Sequence, residues 1–122
     1  MNWLRLLVNR FCSIIGSLFK IRTYLYVYQK LTRGWSDDVT WSLQTHIANY
    51  SIPRLKRFKE LTFAYPIGVE SLEDWKKILD DIIWSLEWLT NDDNFSFKNR
   101  AESRKFFRGL RLFGKHFADL WW

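Results

Sequence analysis

The chain has 122 residues, 48% of them hydrophobic and 26% charged, and this composition excludes a disordered or fibrous protein and indicates one folded domain. Its single cysteine, Cys12, excludes an intramolecular disulfide and gives no sign of an oxidising compartment. Eight Trp, five Tyr and ten Phe exceed what so small a core can bury, so we expect some of them at an interface or ligand site. The net charge of +6 favours anionic partners such as nucleic acid, nucleotides or acidic membranes, although it also serves to keep an aromatic-rich chain soluble.

Residues 1–31 are predicted to form an amphipathic helix with a broad apolar face. Its polar positions lie nearly in line: Arg5, Asn9, Ser13, Ser17 and Lys20. Its apolar positions fill much of the rest: Trp3, Leu7, Phe11, Ile14, Ile15, Leu18 and Ile21. Polar residues interrupt the apolar run that a transmembrane span needs, and no small-residue cleavage site of a secretory signal follows it. Three interpretations are open: this helix packs in the core, it joins two copies of the chain, or residues 1–22 lie on a membrane surface.

The central stretch is predicted to contain a turn at Arg33-Gly34-Trp35 and then a long helix over residues 36–62. Ser36 suits the helix N-cap, and the two aspartates that follow it suit the positive end of the helix dipole. The apolar positions recur at spacings of three, four and seven: Trp41, Ala48, Ile52, Leu55, Phe58 and Leu61. Pro53 either lies inside one helix, which it kinks, or begins a second helix capped by Ser51. We predict the single kinked helix, because the apolar face passes Pro53 without a change of phase.

Two further helices are predicted, over residues 71–90 and 99–120. The first begins at a Ser71 cap, and its core positions are spaced by three and four: Leu72, Trp75, Leu79, Ile82, Leu86 and Leu89. Additional apolar residues on this helix predict that it is contacted on two sides. The core face of the last helix comprises Phe106, Leu110, Phe113, Phe117 and Leu120. The predicted fold class is therefore all-α, a compact bundle of about four helices in a single domain over residues 1–122.

Two basic clusters are the main candidates for ligand binding. One lies in the central helix and comprises Arg54, Lys56, Arg57 and Lys59; the other is a stripe opposite the core face of the last helix and comprises Arg104, Arg108, Arg111 and Lys115. Arginine binds phosphate in a bidentate manner, and a line of cations can follow a phosphate backbone. If the clusters face one groove, they predict a ligand site; if they face apart, they are ordinary solvated helix faces.

The candidate contact residues combine these cations with two tryptophans, because aromatic stacking together with arginine suits nucleotides and protein hot spots. The set is Arg33, Trp35, Trp41, Arg54, Arg57, Arg104, Arg108, Arg111 and Lys115. The competing interpretation places the two tryptophans in the core.

The sequence offers no catalytic or metal-binding motif. His46, His116 and Cys12 are isolated, and no Cys-x-x-Cys or Glu-x-x-His pair occurs. No Gly-x-Ser-x-Gly sequence or phosphate-binding glycine-rich loop is present, and the paired aspartates are better explained as caps, helix faces and loops. We therefore predict a protein that is not an enzyme, with no cofactor and no metal.

Residues 33–122 contain a characteristic combination of short segments: Arg33-Gly34-Trp35-Ser36-Asp37, Thr40-Trp41-Ser42-Leu43, Ile52-Pro53-Arg54-Leu55-Lys56-Arg57-Phe58-Lys59-Glu60, Pro66, Glu73-Asp74-Trp75, Ile78-Leu79-Asp80, Gly109-Leu110-Arg111-Leu112-Phe113-Gly114-Lys115 and Leu120-Trp121. This combination resembles a family of short proteins encoded by tailed bacteriophages. The family has no established activity, so the resemblance assigns no functional residue. It implies a phage protein in the cytoplasm of an infected bacterial cell.

The leading hypothesis is a non-enzymatic binding protein that sequesters an anionic nucleotide signal or inhibits a host defence protein. The broad apolar face of residues 3–21 predicts that it is a homo-oligomer. One alternative is a nucleic-acid-binding accessory protein that uses the two basic clusters. A further alternative is a peripheral membrane protein that contacts the membrane surface through residues 1–22.

Overall fold

The computed structural model describes residues 3–121. Its four α-helices are α1 (Trp3–Arg33), α2 (Leu43–Leu61), α3 (Leu72–Thr90) and α4 (Arg100–Lys115). Two short 3-10 turns follow α1 and α4, at Asp37–Thr40 and Phe117–Asp119, and residues 3–121 contain no strand. The predicted all-α class with four helices is confirmed. The chain divides into two compact units, an N-terminal unit that ends at Leu43 and a C-terminal unit that begins at Gln44.

The first helix ends at Arg33, two residues beyond the predicted residue 31, and contributes no buried residue to the core. α1 contains no proline and one glycine, Gly16, so few residues in it disfavour the helix. None of its residues is buried. The interpretation in which this helix packs in the core is therefore wrong, whereas contact with a second copy or with a membrane stays open.

The predicted start of the central helix at Ser36 is wrong. Residues Asp37–Thr40 form a 3-10 turn, and α2 begins only at Leu43. The buried Ser36 hydroxyl donates to the Asp38 carboxylate instead of capping a backbone N–H. Ser42 has a φ of 53°, in the left-handed region, and this conformation separates the turn from α2. Trp41 consequently lies outside the helix and is 83% exposed, so it is not part of an apolar helical face.

Pro53 lies inside one continuous helix, as predicted. α2 runs from Leu43 to Leu61 without interruption, so no second helix begins after Ser51. The buried side chains of α2 are Ala48 and Leu55, and Ile52 and Phe58 pack against the same core. The kink at Pro53 stays a prediction.

The core of the C-terminal unit is built around α3, which begins where the sequence predicts. The Ser71 hydroxyl accepts the Asp74 N–H at 3.1 Å, and the Asp74 carboxylate accepts the Ser71 hydroxyl at 2.8 Å. The buried side chains of α3 are Trp75, Leu79, Ile82, Ile83, Ser85 and Leu86. Burial of the Trp75 side chain alone contributes about 1.5–3 kcal/mol or more of transfer free energy. α3 therefore contacts both neighbouring helices, as its wide apolar surface predicts: Trp75 lies edge-on to Phe58 of α2, with ring centroids 6.5 Å apart, and Ser85 hydrogen-bonds to α4.

α4 begins at an Asn99 cap, whose side-chain oxygen accepts the Glu102 N–H at 2.9 Å. The Glu102 carboxylate accepts the Lys98 backbone N–H and, at 3.1 Å, the Trp88 indole N–H of α3. These hydrogen bonds, the Lys98 one first, lower the pKa of Glu102. The start of α4 is thus attached to α3 by a charge-assisted hydrogen bond.

α4 ends earlier than the predicted residue 120. The helix stops at Lys115, and a 3-10 turn over Phe117–Asp119 follows. The buried His116 ring lies edge-on to the Trp75 ring, with centroids 5.2 Å apart, and its Nδ1 is 3.0 Å from an oxygen of the Asp119 carboxylate. These two contacts favour the 3-10 turn over a continuation of the helix. Phe117 is consequently 67% exposed, so its predicted place on the core face is wrong, while Phe106 is buried as predicted.

Candidate functional site

Three of the predicted contact residues lie in the N-terminal unit and are mostly engaged within their own turn. The Arg33 guanidinium lies 3.8 Å from the centroid of the Trp35 ring, and its Nε donates to the Trp35 carbonyl at 3.1 Å. A terminal nitrogen of Arg33 also pairs with the Asp37 carboxylate. Arg33 and Trp35 are therefore brought together, whereas Trp41 shares none of these contacts.

Asp37 makes the hydrogen bonds that hold this turn to the end of α1. Its carboxylate accepts hydrogen bonds from Arg33 and, at 2.8 Å, from the Gln29 amide, and its own N–H donates to Gln29 at 2.8 Å. The hydrogen bond from Arg33, followed by that from Gln29, lowers the pKa of Asp37 below its ordinary value. These contacts join the end of α1 to the 3-10 turn.

Acid is expected to loosen the turn at Asp37. Because the folded-state pKa is lowered, the stabilisation is present above the unfolded-state pKa and is lost as the pH falls through the folded pKa. Asp37→Asn should reduce this pH dependence, and the part that remains is due to Asp38, whose pKa is lowered by the hydrogen bond from Ser36. The measurement is amide hydrogen exchange of residues 36–40 across an acid pH series, with Asp92→Asn as the control. Equal exchange profiles for wild type and Asp37→Asn would contradict the expectation.

The basic cluster of α2 divides between two roles. Lys56 and Lys59 pair with acidic residues of α3, at 2.6 Å to Glu87 and 2.7 Å to Asp80, so they help to join the two helices. Arg54 and Arg57 instead line an open groove of about 570 Å³. The residues that contribute to this groove from the end of α4 and beyond are Phe113, Phe117, Leu120 and Trp121.

The α4 stripe does not line this groove. Arg104, Arg108, Arg111 and Lys115 are all exposed, and none of them lies on the groove that Arg54 and Arg57 line. Arg108 pairs with Asp81 of α3 at 3.2 Å. The two basic clusters therefore do not share this groove, and a ligand site that combines them stays a prediction.

α1 carries an extended exposed apolar surface. At about 100° per residue, the apolar side chains of residues 3–21, except Leu6, fall on one half of the helix circumference, and the polar ones fall on the other half. Every large apolar side chain from Trp3 to Ile21 is at least 40% exposed. An apolar surface of this kind marks a site of interaction.

Charge is segregated in the same helix. α1 carries six basic residues: Arg5, Arg10, Lys20, Arg22, Lys30 and Arg33. It carries no acidic residue, and the remaining 13 basic residues of the chain equal the 13 acidic ones in number. The whole net charge of +6 therefore resides in α1. None of the α1 residues before Arg33 is in the predicted contact set, although this charge distribution is readable from the sequence alone.

Several other kinds of site lack support. No cluster of three or more His, Cys, Asp or Glu side chains within residues 3–121 could hold a metal ion. No helix in this described part of the chain combines the length and apolar character that crossing a bilayer requires.

Comparison with known proteins finds no matching family model, no matching curated protein and no matching solved structure. The bacteriophage resemblance stays a prediction.

Proposed function

We propose that the protein is a non-enzymatic, peripheral membrane-surface protein that binds anionic bilayers through α1. The observation that carries this proposal is the continuous exposed apolar face of residues 3–21 on a helix with six cations and no acid. A helix with these features lies in the plane of the interface, with its apolar side among the acyl chains and its cations near the headgroups.

The expected energetics favour this arrangement. Each large side chain that enters the acyl region contributes about 1.5–3 kcal/mol, and each Lys or Arg near an anionic surface contributes about 1 kcal/mol. Residues 3–21 span about 28 Å at 1.5 Å per residue, which is enough for many apolar side chains to insert together. Because the two contributions act at the same surface, we expect tighter binding to anionic than to neutral bilayers.

A second copy of α1 fits this surface less well than a bilayer does. Pairing two α1 helices through their apolar faces would place two cationic helices side by side, with no acidic side chain in either helix to form an ion pair across the contact. An anionic bilayer satisfies both the apolar and the charged side chains. The nucleotide-binding hypothesis has less support, because the basic clusters of α2 and α4 do not share the groove that Arg54 and Arg57 line.

The test is binding of the full chain to vesicles of phosphatidylcholine alone and to vesicles in which phosphatidylglycerol replaces part of it. We expect at least about tenfold tighter binding to the anionic vesicles, which corresponds to ~1.4 kcal/mol, and a weaker preference at high salt. Oriented circular dichroism should place the α1 axis parallel to the bilayer. Failure to bind anionic vesicles, or a stable oligomer that leaves them unbound, would overturn the proposal.

A further inference from the structure

We propose a second anion-binding surface, a cationic stripe on α4 that binds the phosphate backbone of nucleic acid. The stripe comprises Arg100, Arg104, Arg108, Arg111 and Lys115, all of them exposed. At about 100° per residue, these five side chains fall within an arc of about 80°. The inference does not depend on membrane binding by α1, because the two surfaces lie on different helices.

The opposite face of α4 holds the stripe in place. Phe106 and Gly109 are buried against α3, and the Ser85 hydroxyl of α3 donates to the Phe106 carbonyl at 3.0 Å. The Glu102 hydrogen bond with Trp88 anchors the start of the helix. The stripe is therefore displayed on a fixed helix about 22 Å long, which matches six or seven phosphates of one strand.

The charge of the stripe is largely uncompensated. Within residues 3–121, Arg108 is the one member of the stripe with a carboxylate at ion-pair distance, that of Asp81. α4 contains six basic residues and one acidic residue, whereas the rest of the C-terminal unit contains seven basic and ten acidic residues. The cations of this unit are thus concentrated on one helix and do not simply balance nearby acids.

The composition of the stripe fits nucleic acid better than a bilayer. Four of its five members are arginines, whose guanidinium groups bind phosphate in a bidentate manner. No apolar side chain lies inside the arc, so the stripe offers nothing to insert among acyl chains, in contrast to α1. The half-exposed Phe107 lies at the edge of the arc, where it could stack on an unpaired base.

The test is fluorescence anisotropy of labelled duplex and single-stranded oligonucleotides with the full chain. Arg104→Gln/Arg111→Gln should weaken binding about tenfold or more at low salt. It should also reduce the slope of log K against log salt by about two, because two phosphate contacts are lost. The matched control is Lys76→Gln/Lys77→Gln on α3, which removes the same charge from the same unit and should change binding by less than about threefold.

Three results would overturn the proposal. Equal losses in the α4 and α3 variants would show that only net charge matters. A loss confined to Arg5→Gln/Lys20→Gln would assign the oligonucleotide to α1. If the Arg104→Gln/Arg111→Gln variant no longer binds anionic vesicles but still binds oligonucleotides with unchanged affinity, the stripe is a lipid contact. Thermal unfolding of each variant checks that the helices are intact, so a loss of binding is not read from an unfolded chain.

Discussion

Replacing Gly109 by alanine is expected to destabilise the C-terminal unit by about 3 kcal/mol or more. A Cβ atom at Gly109 would lie 1.8 Å from the Ser85 Oγ and 2.5 Å from the Asp81 backbone oxygen. No rotation of a side chain relieves the second clash, because the Asp81 atom belongs to the backbone of α3. α4 would have to move away from α3, and the hydrogen bond from Ser85 to Phe106 would be lost.

The matched control is Gly114→Ala, in the same helix. A Cβ atom at Gly114 meets no atom within 4 Å, so this change should stabilise the helix by up to ~1 kcal/mol through its higher helix propensity. Urea unfolding of both variants measures the difference. Adding Ser85→Ala to Gly109→Ala should restore only part of the loss, because the Ser85 Cβ and the Asp81 oxygen remain within 2.6 Å. Equal midpoints for the two single variants would show that α3 and α4 do not approach so closely at Gly109.

α3 and the start of α4 were the most predictable part of the fold, since local signals and tertiary packing agree there. Ser71 caps α3 as its sequence predicts, and the seam that begins at Leu72 supplies four of the six buried residues of this helix. The close approach at Gly109 was not predicted. A glycine inside a helical pattern does not reveal whether another helix lies over it.

The start of α2 could not be predicted correctly from local sequence. A serine followed by two aspartates is typical of a helix N-cap, yet the same residues also suit a 3-10 turn. Arg33 and Gln29 of the preceding helix favour the 3-10 turn, because their side chains donate hydrogen bonds to the Asp37 carboxylate. The left-handed conformation of Ser42 also favours the turn over a helix that starts at Ser36. Serine carries no sequence signal for that conformation.

The candidate site was less predictable than the helices. Periodicity places cations on a face of one helix, but which faces of α2 and α4 share a groove depends on how both helices pack around α3. Lys56 and Lys59 form ion pairs with α3, and the sequence of α2 alone does not reveal this. For α1, periodicity predicts the amphipathic helix but does not distinguish a buried face from an exposed one.

Introducing two aspartates on the apolar face of α1 is expected to weaken vesicle binding strongly. Phe11 and Leu18 lie seven residues apart near the centre of that face and are 66% and 59% exposed. Phe11→Asp/Leu18→Asp removes two inserting side chains, each worth about 1.5–3 kcal/mol, and places charge among the acyl chains. The control is Ser13→Asp/Ser17→Asp, which adds the same charge on the polar face.

Both variants lose the same long-range attraction to anionic lipid, so the difference between them reports insertion of the apolar face. We expect the apolar-face variant to bind at least about 100-fold more weakly than the control in vesicle co-sedimentation, corresponding to ~3 kcal/mol. Similar affinities for the two variants would mean that α1 binds by charge alone, without insertion. Sedimentation velocity gives an independent check: if Phe11→Asp/Leu18→Asp converts an oligomer to a monomer without changing vesicle binding, the apolar face joins copies of the chain and does not enter a bilayer.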